Sequence, residues 1–297
     1  MKTFTQKIGM LFFMTLCFNV VWSQSGINAF LKPSDSLNIA RRNAVAISQS
    51  VVFVGGIIEM NMLYDKDYLG SKFHFSNGSG NFLQMDKAAH LMAAYHIGDI
   101  SANALKWSGV SKKNQIIYGA GMGFVFLTTV EFIDGFAGGT SFRDIIANAA
   151  GTSLYVSQEM LWNEQRIVPK FSFKSSRFFS AAPRIMRLQI ENEFDGQTYW
   201  LSANVHSFFK GSKFPKWLNI ATGYGVEGMD YRNSMVIPQE FNPYRQFYLS
   251  LDVDLTKIKT NSHFLKTFFY LFNSIKFPAP TLEIGESGRV KGYFFYF

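Results

Sequence analysis

GMGFVFLTTVEFIDGFAGGTSFRDIIANAAGTSLY, residues 121–155, is the stretch on which the fold turns. Its first part reads as an apolar helix that stops where Gly138-Gly139 frees the backbone to turn. Ser141 then offers an N-cap, and Asp144 stands three residues later, where a capping residue's partner sits. A second helix is therefore expected from Thr140 or Ser141 to about Trp162. Glu131 with Asp134, and Asp144 with Asn148 and then Gly151, recur at spacings of three and four, so each set shares one helix face. Carboxylates among Phe, Leu and Ala are costly to bury unless each is paired, hydrogen-bonded or metal-bound. These residues are thus the expected functional centre.

Working towards the N-terminus, MDKAAHLMAAYHIG (residues 85–98) places Asp86 and His90 one turn apart on a helix expected from Met85 to Trp107. The helix holding Glu131 is expected from Lys113 to Phe136. A further helix is expected from Leu37 to about Tyr64, preceded by Pro33 and capped by Ser34 or Asp35. Its core, AVAISQSVVFVGGIIEMNML, approaches the length of a membrane span. Ser48, Gln49, Gly55-Gly56 and Glu59 favour a buried helix of a bundle instead.

Towards the C-terminus the helical period gives way to alternation near Pro169. Met186, Leu188 and Ile190 alternate with polar residues. Tyr199, Leu201, Ala203 and Val205 follow the turn signal Asp195-Gly196. Leu218 to Tyr224, Phe247 to Leu255 and VKGYFFYF at the end read as further strands, with a short amphipathic helix in SHFLKTFFYLFNSI. The expected class is α+β: an N-terminal bundle of about four helices over residues 24–168, then an antiparallel β-rich region over residues 169–297. Aromatic alternation up to Phe297 is a feature of outer-membrane barrels, but a closed barrel needs at least about eight strands. A compact sheet seated near the outer membrane is the expectation.

Lys2 and Lys7 ahead of the apolar run Gly9–Val21, followed by Val21-Trp22-Ser23, read as a secretory leader over residues 1–23. Cys17 is the one cysteine. It follows Leu16 where a lipobox needs a small residue, and its loss with the leader would exclude disulfides and thiolate chemistry. The formal net charge is +8. The positive residues are spread in small groups, Lys210 to Lys216 among them. In an exported chain that charge suits anionic lipid head groups or glycans, and no nucleic acid is expected. The expected location is the periplasm or outer membrane of a Gram-negative envelope.

One His, up to three carboxylates and an amide suit a divalent cation or a general acid/base pair. The competing reading is a buried network, with Asp86 as an N-cap, Asp144 in a capping box with Ser141, Glu131 paired with Lys87 or Arg143, and Asn148 tying a loop. His74 and His96 are read as incidental. The order Asp-Lys-x-x-His, Glu-x-x-Asp, a Gly/Ser turn, Ser-x-x-Asp, a polar residue four on and Gly three later resembles the YfiM-type family of periplasmic lipoproteins. It is more loosely similar to VanZ-like membrane proteins, which carry Glu-x-x-Gln where this chain has Glu131 to Asp134. The likeness covers about residues 85–155 and implies a cell-envelope protein without an established activity. The VanZ-like link to glycopeptide resistance points to envelope lipids or glycans. The missing lipobox and the added β-rich part depart from the pattern.

The leading expectation is a structural or interaction module at the periplasmic face of the outer membrane. One alternative is a hydrolase or transferase acting on an envelope lipid or glycan. There His90 would be the base, Asp86 its orienting group, and Glu131, Asp134 and Asp144 the acid or the holders of a divalent cation. The other alternative is lipid binding by the Phe-rich C-terminal region.

Overall fold

The computed structural model describes residues 26–63, 72–76, 81–174, 194–228 and 243–297. The expected leader and the alternating stretch at 186–190 lie outside them. Four long helices occupy the N-terminal half: α1 (Ile39–Leu63), α2 (Met85–Trp107), α3 (Lys112–Asp134) and α4 (Phe142–Leu161). The cap of α1 is Asn38, whose Oδ1 accepts the Arg41 N–H at 3.0 Å, rather than Ser34 or Asp35. Residues Gln115–Ala120 of α3 are wound as a π-helix. Two short parallel strands, β1 (Phe75–Ser76) and β2 (Thr140–Ser141), pair across the turn between α3 and α4.

The helices do not form an even four-helix bundle. α2 is clamped by α3 and α4, and glycines set the approach. A Cβ added at Gly123 would lie 2.1 Å from the Ala94 carbonyl oxygen, and one at Gly151 would lie 2.1 Å from that of Leu91. Only glycine lets these backbones touch. α1 runs beside α2, touching it through Gln49 and the Ser101 carbonyl at 3.4 Å. Val45 is buried, but Ile47, Val51, Val52 and Ile58 are exposed. By length and composition α3 could cross a membrane. Its last turn is tied to its neighbours by Glu131, which is engaged by groups on α2 and on the strand leading into α4, while Ile117, Tyr118, Val125 and Phe132 are exposed.

Among the described residues, the C-terminal half holds one six-stranded antiparallel sheet in sequence order. Its strands are β3 (Ile167–Phe173), β4 (Gln197–Asn204), β5 (Leu218–Glu227), β6 (Tyr244–Val253), β7 (Ala279–Gly285) and β8 (Val290–Tyr296). A one-turn helix α5 (Val205–Phe208) follows β4, and α6 (His263–Phe272), N-capped by Ser262, precedes β7. Pro169 sits in the edge strand β3, where its missing donor is tolerated. That edge is covered by residues 274–276: the Phe171 N–H donates to the Ser274 carbonyl and the Lys276 N–H to that of Phe171, each at 2.9 Å.

The sheet curls. β4 and β8 are four strands apart, yet Thr198 Oγ1 lies 3.2 Å from Tyr296 Oη and the Trp200 and Tyr296 rings are 6.0 Å apart. The concave side is polar and buried. Lys170 Nζ lies 2.8 Å from Asp252 Oδ2, and neither side chain reaches solvent. Ser202, Asn219 and Glu283 are buried there too. Trp200 fits because Gly223 lies beneath it, where a Cβ would stand 2.6 Å from the indole. The alternate residues, Leu201, Ile220, Leu249, Leu251, Leu282 and Ile284, point outward and are exposed. The sheet thus turns its aliphatic residues outward, while its inner side combines buried polar residues with the rings of Trp200, Tyr248 and Tyr296.

Candidate functional site

Four local choices assemble the expected cluster. Gly151 brings α4 against α2, which sets Asn148 Oδ1 3.0 Å from His90 Nδ1. The close contact at Gly123 brings α3 to the same helix, with Glu131 Oε1 3.3 Å from His90 Nε2. The turn between α3 and α4 folds back so that the Ser141 N–H donates to Glu131 Oε2 at 3.2 Å. Ser141 Oγ in turn caps α4 by accepting the Asp144 N–H at 3.3 Å. Lys87 Nζ then bridges α2 and α4, lying 2.7 Å from both Asp86 Oδ2 and Asp144 Oδ1.

His90 therefore meets a carboxylate from another helix, and that carboxylate is Glu131. Asp134 lies one turn beyond and acts on Glu131 through its charge. Asp86 neither caps α2, which starts from the 3₁₀ turn Asn81–Gln84, nor orients His90. It accepts from Lys87, and the group that orients His90 is Asn148. Arg143 is exposed and stands apart from the cluster. His74 is also exposed, its Nδ1 3.1 Å from the Lys72 carbonyl.

With the Asn148 oxygen turned towards His90, the protonated ring nitrogen is Nδ1. In its neutral form the ring presents the Nε2 lone pair to Glu131. Burial pushes the Glu131 carboxyl up to about 7, the Asp144 and Asp134 charges add to this, and the Ser141 N–H and Lys87 partly offset it. Burial works against the charge on Lys87, but its hydrogen bonds to Asp144 and Asp86 outweigh that and hold its pKa above the ordinary lysine value. The buried Asn148 Nδ2 makes no hydrogen bond among the described residues. One ligand atom each from His90, Glu131 and Asp144 lies within 4.8 Å of the others, a spacing that could hold a cation. The amide on Nδ1 is the kind of support that metal-bound imidazoles receive. Lys87 already sits on Asp144, however, so a cation there would have to displace an ammonium.

A second group of polar residues includes His96, read from the sequence as incidental, with Asp99 and Asn103, which the sequence reading does not single out. His96, Asp99 and Asn103 lie on another face of α2 and line a cavity of about 690 Å³ between the helices, β3–β4 and α6. The Tyr270 hydroxyl donates to Asp99 Oδ2 at 2.9 Å and Asn103 Nδ2 to Oδ1 at 2.7 Å. Burial raises Asp99 to about 6 despite these bonds. Burial lowers His96, whose Nε2 is 2.8 Å from the Pro169 carbonyl. The spacings of three and four from His96 to Asp99 to Asn103 were the available signal.

Residues 73–159 match the family model described as predicted periplasmic lipoprotein (DUF2279). The matched stretch contains every residue of the His90–Glu131 cluster and stops before the sheet. It agrees with an exported protein of the periplasm or outer membrane, and it carries no activity. No curated protein and no solved structure matches the chain.

Proposed function

We propose that this is a cell-envelope hydrolase or transferase in which His90 and Glu131 form an acid/base pair acting on a lipid or glycan of the envelope. The observation that carries this reading is the way the imidazole is held. Asn148 holds the ring at Nδ1 while Nε2 faces a carboxyl group that burial raises to about 7, and a general acid or base works best when its pKa lies near the working pH. The His90 side chain is 21 % exposed, so the pair is open to solvent at that end. A water or substrate hydroxyl arriving at the exposed end of the imidazole would compete with Glu131 for Nε2, with the base and the acid then side by side. The YfiM-type and VanZ-like likeness of the motif order supports an envelope substrate. The reading as a structural or interaction module draws on a different observation, the Lys87 bridge that ties α2 to α4 through Asp86 and Asp144.

The two readings part on His90→Gln and Lys87→Met. The acid/base reading expects His90→Gln, at wild-type abundance in the envelope, to fail to complement a deletion strain. It expects the lipid or glycan profile of that strain to show an accumulated precursor by mass spectrometry. Full complementation by His90→Gln, with loss of the folded protein on Lys87→Met, would leave only the structural reading.

A further inference from the structure

We propose that the convex face of the sheet lies in the hydrocarbon of a lipid bilayer with anionic head groups, an inference independent of the His90–Glu131 reading. The first argument is the inverted alternation. A water-soluble antiparallel sheet packs its apolar face on the core and turns its polar face outward. Here the buried side holds Lys170, Asp252 and Glu283 beside the rings of Trp200, Tyr248 and Tyr296, while Leu249 and Leu282 on the other face are 45 % and 48 % exposed. That is the pattern of strands that face lipid on one side and a polar interior on the other. The exposed positions Leu201, Ile220, Leu249, Leu251, Leu282 and Ile284 fall on four adjacent strands, so the apolar surface is continuous. β5 and β6 have ten residues each, about the length of strand that a tilted membrane crossing requires.

The second argument is charge. The connection from β4 to β5, VHSFFKGSKFPKW (residues 205–217), holds Lys210, Lys213 and Lys216 and no acidic residue. Phe209, Phe214 and Trp217 are exposed beside them. Aromatic rings with lysines at one rim of an apolar band suit a membrane–water interface, where the rings seat at head-group depth and the ammonium groups meet anionic lipid. This complementarity favours lipid over a second protein surface, which the apolar face alone would also fit.

The test uses the full chain carrying Cys17→Ser, with a single spin-labelled cysteine introduced by Leu249→Cys, Leu282→Cys or Ser250→Cys. The labelled protein is reconstituted into vesicles of phosphatidylethanolamine and phosphatidylglycerol. The labels at 249 and 282 should gain collisions with oxygen and lose those with a water-soluble nickel chelate. The label at 250, on the concave side, should stay shielded from both, which also reports that the sheet is folded. The combined change Lys210→Gln, Lys213→Gln and Lys216→Gln should lower the bound fraction on these vesicles and leave binding to phosphatidylcholine vesicles unchanged. Nickel access at 249 and 282 in the presence of vesicles would overturn the proposal. So would shielding of both sites in detergent-free buffer by self-association, which would make the face a contact between copies. Undiminished binding of the lysine variant to the anionic vesicles would overturn the anionic part.

Discussion

Glu131 is where a single residue sets a measurable property. Its carboxyl is about 3 % exposed and raised from 4.5 to about 7. Between these values the folded chain holds a proton that the unfolded chain releases. Its stabilising contribution is therefore complete below pH 4.5 and lost as pH rises through about 7, at roughly 3 kcal/mol for a shift of this size. Glu131→Gln should flatten this part of the curve, so the stability difference between wild type and variant should change with pH across that window and level off outside it. Denaturant midpoints measured in mild detergent at a series of pH values would show this, and parallel curves would refute the assignment. The identities of the cluster were legible because the helical period puts His90, Glu131 and Asp144 on inward faces. Partner choice was not legible. Asp86 is closer to His90 in sequence than Asn148 is, but the Lys87 ammonium captures Asp86, and the close approach at Gly151 delivers Asn148 instead.

Among the elements, the crossing of α2 and α4 decides whether the cluster exists. Gly151→Ala would place a methyl group against the Leu91 backbone carbonyl, which cannot swing aside as a flexible side chain does. Overpacking of this kind costs about 1–3 kcal/mol. The shift should also pull Asn148 away from His90. The expected readout is a lower denaturation midpoint together with a changed His90 imidazole NMR signal, and loss of stability with an unchanged imidazole signal would separate packing from the site. Helices α2 to α4 could be placed from period and capping because Ser141 and Gly138-Gly139 are local signals. β3 could not, since Ile167–Phe173 contains a proline and buries a lysine and a serine, so neither propensity nor an apolar alternation marks it.

For the molecule as a whole, the Lys170–Asp252 pair is the test of a polar interior. Lys170 Nζ also reaches Asn273 Oδ1 at 3.2 Å and the Val253 carbonyl at 2.8 Å, so it joins β3, β6 and the segment after α6. Lys170→Met would take from Asp252 its ion-pair partner, leaving it the Ser202 hydroxyl, the Phe277 N–H and the nearby Lys276 charge, and should cost about 3 kcal/mol. Adding Asp252→Leu should recover part of the loss, because the buried carboxylate is gone, and only part, because Lys276 then loses the charge that supports its ammonium. Thermal unfolding of the two variants in the same detergent checks this, and a double variant no more stable than the single one would count against pairing as the cause.

The sequence by itself determined the periods of the chain, helical to about Trp162 and alternating afterwards, the cap at Ser141, and the set of polar residues that had to find partners. These depend on spacing along one chain segment. The tertiary structure decided which face of the alternation is inside, which carboxylate meets His90, and that α1 flanks the helices instead of completing a bundle. Each of these depends on which surfaces meet. Alternation is symmetric: Leu249 and Ser250 mark opposite faces equally well whichever one is buried. Only the curl that brings Tyr296 to Thr198 and Lys170 to Asp252 shows that the polar face is the enclosed one.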